Sequence, residues 1–156
     1  MYNVYISYTH HIIYHIIRFA FNVTSPLVSG VDAGANLGQS GLNTLLAPCA
    51  ASLCCIIWKR RFPSKDGARV VTIEESLGCI LAGAVAITAS CYTVNWWASL
   101  IIGFFVTPIF FFTNWFIREK LLIDDPLGVA SVHLFPGFYG VLCEGIKYST
   151  NSLKIS

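Results

Sequence analysis

The sequence predicts an all-α integral membrane protein of about four to five transmembrane helices. Three observations carry that expectation. Of 156 residues, 55% are hydrophobic and only 12% are charged, against roughly 25% charged in an average soluble domain. Mean hydropathy is +0.64. The few charges are also segregated: 33–58 is a charge-free run of 26 residues and 76–117 one of 42 residues. Eighteen charges could not cover a soluble fold of this size while so much apolar matter stayed inside. Disorder, a nucleic-acid-binding arm and an ordinary cytosolic enzyme are excluded on the same ground, and the lipid bilayer becomes the expected partner.

The first helix is expected near Ile12–Val28, although Arg18, Asn22 and Pro26 interrupt its apolar pattern. Residues 1–17 lack the basic start and small-residue cleavage pattern of a secretory leader. A second helix is expected near Gly41–Trp58. The run 76–117 is long enough for two spans of about 20 residues. Asn95, a turn residue, and the interfacial pair Trp96-Trp97 lie near its middle. The run therefore reads as a hairpin, with helices near Leu77–Tyr92 and Trp97–Phe116. A last helix is expected over Pro126–Gly145. Asp125 would cap its free N–H groups, and Pro126 would occupy the first helical position, where a missing donor costs nothing.

Basic residues orient these spans. Lys59, Arg60, Arg61, Lys65 and Arg69 lie in one loop, Arg118 and Lys120 in another, and the turn 93–96 has none. The positive-inside rule places the two basic loops in the cytoplasm and the turn outside.

The stripes Gly78, Ala82, Ala86 and Ala47, Ala51, Cys55 repeat at four-residue spacing, as expected of helices in close approach within lipid. The six cysteines read as small apolar packing residues rather than as a zinc or disulfide framework. His10, His11 and His15 lack a nearby carboxylate or third ligand type, so neither a metal nor a cofactor is expected. HExxH, GxSxG and paired intramembrane carboxylates are all missing from the sequence, so no hydrolytic chemistry is expected and the protein reads as a non-enzyme.

His133 is the polar residue that calls for a role. It lies seven residues past Pro126, about 10 Å along a helix axis and so within the hydrocarbon region. Pro136 disturbs the helical carbonyl at Val132, and Gly137 and Gly140 share the face of His133. A buried neutral imidazole offers one donor and one acceptor, which suits a small polar solute such as water or ammonia, and equally a hydrogen bond to a neighbouring helix.

Several blocks of sequence resemble the ammonium transporter (Amt/Mep/Rh) family. Residues 77–91, LGCILAGAVAITASC, resemble its NGxLAGLVAITPAC segment, and Trp97–Gly103 resembles WGALIIG. Residues 124–133, DDPLGVASVH, resemble DDxxDVFGVHGVGG; residues 19–25, FAFNVTS, resemble WFGFNAGS; and Leu42-Asn43-Thr44 resembles the start of VNTxxAAAAA. The resemblance covers about residues 18–146, leaving 1–17 and 147–156 unmatched, and falls within the second of the family's two inverted five-helix repeats.

The resemblance implies transmembrane transport of ammonium or ammonia through a hydrophobic pore, as part of a larger or multi-subunit transporter in the plasma membrane. The full-length family form would be a homotrimer. The alternative is a truncated, non-transporting membrane protein that pairs with another helix bundle. By resemblance, His133 matches one of twin pore histidines, Phe21 a gate phenylalanine, Ser25 the outer serine that hydrogen-bonds the recruited ion, and Thr88 a pore-adjacent threonine. Asp125 matches the acid that opens the last of these helices. The chain departs from the family pattern at Arg18, where Trp is usual, at Ala89 for Pro, at Gly128 for Asp and at Leu134 for Gly.

Overall fold

Helices form where the charge pattern leaves apolar sequence. The structure, a computed structural model, describes residues 2–28, 33–63, 67–123, 125 and 128–153. Its helices are α1 Tyr2–Val28, α2 Ala33–Arg61, α3 Ile73–Ala86, α4 Trp96–Trp115 and α5 Val129–Leu153. Among the described residues, four helices are long and apolar enough to cross a membrane: Asn36–Arg61, Ile73–Ser90, Trp96–Lys120 and Val129–Ser149. α1 carries Arg18 and Asn22 among its apolar residues.

Small residues set how closely these helices approach. On α2, Ala47, Ala51 and Cys55 are at most 1% exposed, and Ala82 and Ala86 on α3 are fully buried. A Cβ on Gly83 of α3 would stand 2.9 Å from the Cα of Pro48, and one on Gly103 of α4 would run into the Ala47 carbonyl. A Cβ on Gly140 of α5 would meet the Ala86 carbonyl. α2 is thus seated against both α3 and α4, and α5 lies on the end of α3. In lipid such seams are held by dispersion between closely packed atoms rather than by escape from water.

Hydrogen bonds between elements fix the register of the seams. The Asn43 amide of α2 donates to the carbonyls of Cys91 (2.9 Å) and Val94 (2.7 Å), tying α2 to the α3–α4 turn. Asn43→Leu, which leaves those two buried acceptors without that donor, is expected to cost about 1–3 kcal/mol. An SDS-unfolding titration of the detergent-solubilised protein would register the loss.

A second junction forms around Pro26. Proline has no N–H, so the Asn22 carbonyl one turn back loses its helical partner. The Ser40 hydroxyl (2.6 Å) and the Cys91 thiol (3.5 Å) donate to it instead. The Asn22 amide donates to the Ala84 carbonyl at 3.4 Å. The polar residues that interrupt the apolar pattern of α1 are therefore among those that bind it to α2 and α3.

Helix ends follow local chemistry. α3 begins at a capping box: the Glu75 N–H donates to the Thr72 hydroxyl (3.2 Å), and the Thr72 N–H donates to the Glu75 carboxylate (2.9 Å). The same carboxylate pairs with Lys59 from the end of α2. α3 stops at Ala86, short of the expected Tyr92, and a 3₁₀ turn over Thr88–Ser90 follows. There the Thr88 hydroxyl takes the Ala84 carbonyl at 2.9 Å, which competes with the helical backbone bond. Asn95 begins α4 as expected, with Trp96 and Trp97 exposed beside it.

The start of α5 differs from expectation. Pro126 lies outside the described residues, and the helix begins at Val129 rather than at Pro126. Gly128, at φ +64°, turns the chain through the left-handed region just before it. The Asp125 carboxylate still caps the first turn, accepting from the N–H groups of Val129 (2.9 Å) and Ala130 (3.0 Å). α5 also runs past the expected Gly145 to Leu153. Its Glu144 accepts from the Thr93 hydroxyl at 2.7 Å, and Lys147 donates to the Thr93 carbonyl, which anchors the extension on the α3–α4 turn.

Candidate functional site

The candidate residues arise from two helices that meet on one side of the bundle. On α1, Tyr14, Arg18, Phe21 and Ser25 fall at i, i+4, i+7 and i+11, and so share one face. On α5, His133 sits in the second turn, half-buried, with Val132 buried behind it and Leu134 64% exposed beside it.

The two faces join at the imidazole. An Arg18 guanidinium nitrogen lies 3.4 Å from His133 Nδ1, and the Tyr14 hydroxyl lies 3.4 Å from Nε2. The Tyr14 and His133 rings are tilted at 55° with centroids 5.7 Å apart. The Arg18 guanidinium stands 5.8 Å above the Tyr14 ring centre, in range of a cation–π contact. Both ring nitrogens of the candidate histidine are therefore engaged by α1.

The other predicted residues are less closely gathered. Phe21 is 58% exposed on the same face of α1 as Arg18. The Ser25 hydroxyl donates to the Phe21 carbonyl at 3.1 Å, one turn back on its own helix. Thr88 shares the Ala84 carbonyl with Asn22, so it meets α1 at its buried side rather than at His133. Asp125 holds the start of α5, eight residues before His133, and Pro126 lies outside the described residues.

Sequence reasoning missed Tyr14 altogether and read Arg18 as an interruption of an apolar helix and a departure from the family pattern. The available signal was the i, i+4, i+7 spacing of Tyr14, Arg18 and Phe21, which puts all three on the candidate face. The side chains of His10 and His11, for which no metal is expected, lie outside the described residues. A separate cavity of about 730 Å³ opens at the charged end of the bundle, lined in part by Trp58, Lys59, Glu75, Phe111, Trp115 and Arg118. Among the described residues, none that lines it comes from α1 or α5.

Comparison with known proteins gives a consistent picture. The profile of the Ammonium Transporter Family matches residues 11–154. Ammonium transporter 1 member 4 of Arabidopsis thaliana is 34% identical over 110 residues, covering 70% of this chain and 21% of that protein. Ammonium transporter 3 of Dictyostelium discoideum is 35% identical over 118 residues, covering 72% of this chain and 27% of that protein. Ammonium transporter Amt2 of Archaeoglobus fulgidus is 33% identical over 128 residues, covering 82% and 25%. Among solved structures, one described as "Sensor Amt Protein" superposes with a TM-score of 0.74 at 31% identity, over 83% of this chain and 30% of that one. The chain thus spans about a quarter of the length of the curated relatives it matches.

Proposed function

The chain belongs to the Ammonium Transporter Family, and from that premise we propose that it takes part in moving ammonium or ammonia across a membrane. The proposed pathway is a hydrophobic pore with His133 as its polar lining group, Phe21 and Ser25 towards its outer end and Thr88 behind it. The observation that supports this reading is the joining of the α1 face to His133 within the family match. A histidine held in an apolar helix is costly unless it serves a polar path or a partner, and here it lies on a face that is partly open.

The chain spans about a quarter of its relatives' length, so the opposite wall of the proposed pore comes from a further helix bundle, in a larger or multi-subunit transporter. Solute paths between inverted repeats need both walls. We place the protein in the plasma membrane, with residues 18–146 as the membrane domain and homotrimers as the assembled form. The basic loops that hold Lys59 and Arg118 would face the cytoplasm. On this reading the protein carries a solute and performs no chemistry on it.

A second reading is a non-transporting membrane protein that pairs with another helix bundle. The fixed charge of Arg18 beside His133 favours it. The two readings separate in cells that lack their own ammonium transporters and express the protein as its gene encodes it. Uptake of ¹⁵N-labelled ammonium above that of empty cells, lost in His133→Leu, is the expected result. Uptake equal to that of empty cells, with the protein present at the membrane, would favour the second reading.

A further inference from the structure

We propose that Arg18 is a positioning and specificity residue: it holds His133 as the neutral Nε2–H tautomer and keeps a fixed positive charge at the pathway, so that neutral ammonia is admitted and cations are turned away. This rests on the reading of His133 as a pathway residue.

The tautomer follows from donor and acceptor chemistry. A guanidinium has five N–H donors and no acceptor, and it does not deprotonate in proteins. It faces His133 Nδ1 at 3.4 Å, so Nδ1 presents its lone pair and carries no proton. The ring proton is then on Nε2, which donates to the Tyr14 hydroxyl oxygen at 3.4 Å. Tyr14 holds the arrangement together from below, with its ring under the guanidinium and tilted against the imidazole.

Protonation of His133 would put an imidazolium N–H against the guanidinium donors. The contact would be lost and two like charges would face each other. A solute at this face therefore cannot hand a proton to Nδ1 while Arg18 is in place. An ammonium ion approaching the imidazole also meets the guanidinium charge, whereas neutral ammonia does not.

Among the described residues no ion pair offsets that charge. The titratable or charged groups recorded against the imidazole, Tyr14 and Arg18, both come from α1. α3 meets α5 through Val85 against Gly137 and the Ala86 carbonyl against Gly140, neither of them ionisable. α4, which also packs on α5, has no ionisable residue between Trp96 and Trp115.

The test has two arms, both on the protein as its gene encodes it, reconstituted in bilayers. In the first, ¹⁵N-histidine labelling with solid-state NMR reads the tautomer of His133, its signal assigned by its loss in His133→Leu. The expected wild-type spectrum is a single neutral Nε2–H species, and Arg18→Gln, which can donate or accept, is expected to give mixed tautomers. An Nδ1–H or imidazolium signal in the wild type would overturn the positioning role. In the second arm, currents evoked by an ammonium jump across proteoliposomes read cation entry. They are expected to rise about tenfold in Arg18→Gln and to stay at the wild-type level in Arg18→Lys. Equal currents in wild type and Arg18→Gln, with ammonia flux intact in both, would overturn the selectivity role and leave the transport reading standing. Absence of ammonia flux in every variant would remove the transport reading and the selectivity with it, while the spectra decide on the positioning role by themselves.

Discussion

Gly103→Val is expected to abolish the folded bundle. A Cβ at position 103 already runs into the Ala47 carbonyl, so the added side chain has no rotamer that avoids the α2 backbone. α2 and α4 share the most extensive helix interface of the fold. Relief would require the two helices to move apart along that interface, which forfeits the dispersion that holds them together in lipid. It would also stretch the bond from the Thr107 hydroxyl to the Ala51 carbonyl, now 2.9 Å. Overpacking of this kind costs roughly 3 kcal/mol or more. The variant should elute as aggregate in detergent size-exclusion chromatography, while Gly38→Val, where an added Cβ meets nothing within 4 Å, should elute as wild type does. A monodisperse Gly103→Val protein of wild-type melting temperature would mean that the α2–α4 seam is looser than described.

Glu75→Ala should be nearly as damaging, through electrostatics rather than shape. Lys59 is only 4% exposed and its ammonium is paired with the Glu75 carboxylate. Removing the carboxylate leaves a buried cation without its partner, a change that typically costs about 3–5 kcal/mol. The same substitution deletes half of the capping box at Thr72, worth about another 1 kcal/mol. The Glu75 side chain is itself partly exposed, so solvent screening places the expected total near the low end, about 3 kcal/mol. Glu75→Gln retains an acceptor for the Thr72 N–H and should lose less. The melting temperatures of the two variants in detergent check the order; Glu75→Ala at or above Glu75→Gln would contradict it.

The spans were legible because charge alone divides the chain. The runs 33–58 and 76–117 contain most of α2, most of α3 and all of α4, and Asn95 marks the hairpin between the last two. The stripes through Ala47 and Ala82 were legible for a similar reason, since helical periodicity repeats small residues every fourth position. Helix ends were read less well where side chains compete with the backbone. Thr88 and Asn22 both take the Ala84 carbonyl and end α3 early, and neither bond is visible without the fold.

The site was legible only in part, and the reason is sequence distance. His133 stood out as an intramembrane imidazole, and Asp125 as the cap of its helix, because both signals are local. The engagement of His133 by Tyr14 and Arg18 crosses more than a hundred residues and depends on how α1 settles against the bundle. Asn22 and Pro26 were read as interruptions of an apolar helix. In the fold they make the cross-helix junction that brings the Arg18 face to α5.

The most direct test of the proposed transport role is made on purified protein. Proteoliposomes containing the protein as its gene encodes it, loaded with a pH-sensitive dye, are mixed rapidly with ammonium chloride, and the rise in internal pH is followed. Entry of neutral ammonia consumes protons inside, so the expected result is alkalinisation faster than in empty vesicles, slowed to the empty-vesicle rate in His133→Leu. Alkalinisation at the empty-vesicle rate in correctly folded wild-type protein, or the same fast rate with and without His133, would contradict a pathway through this site.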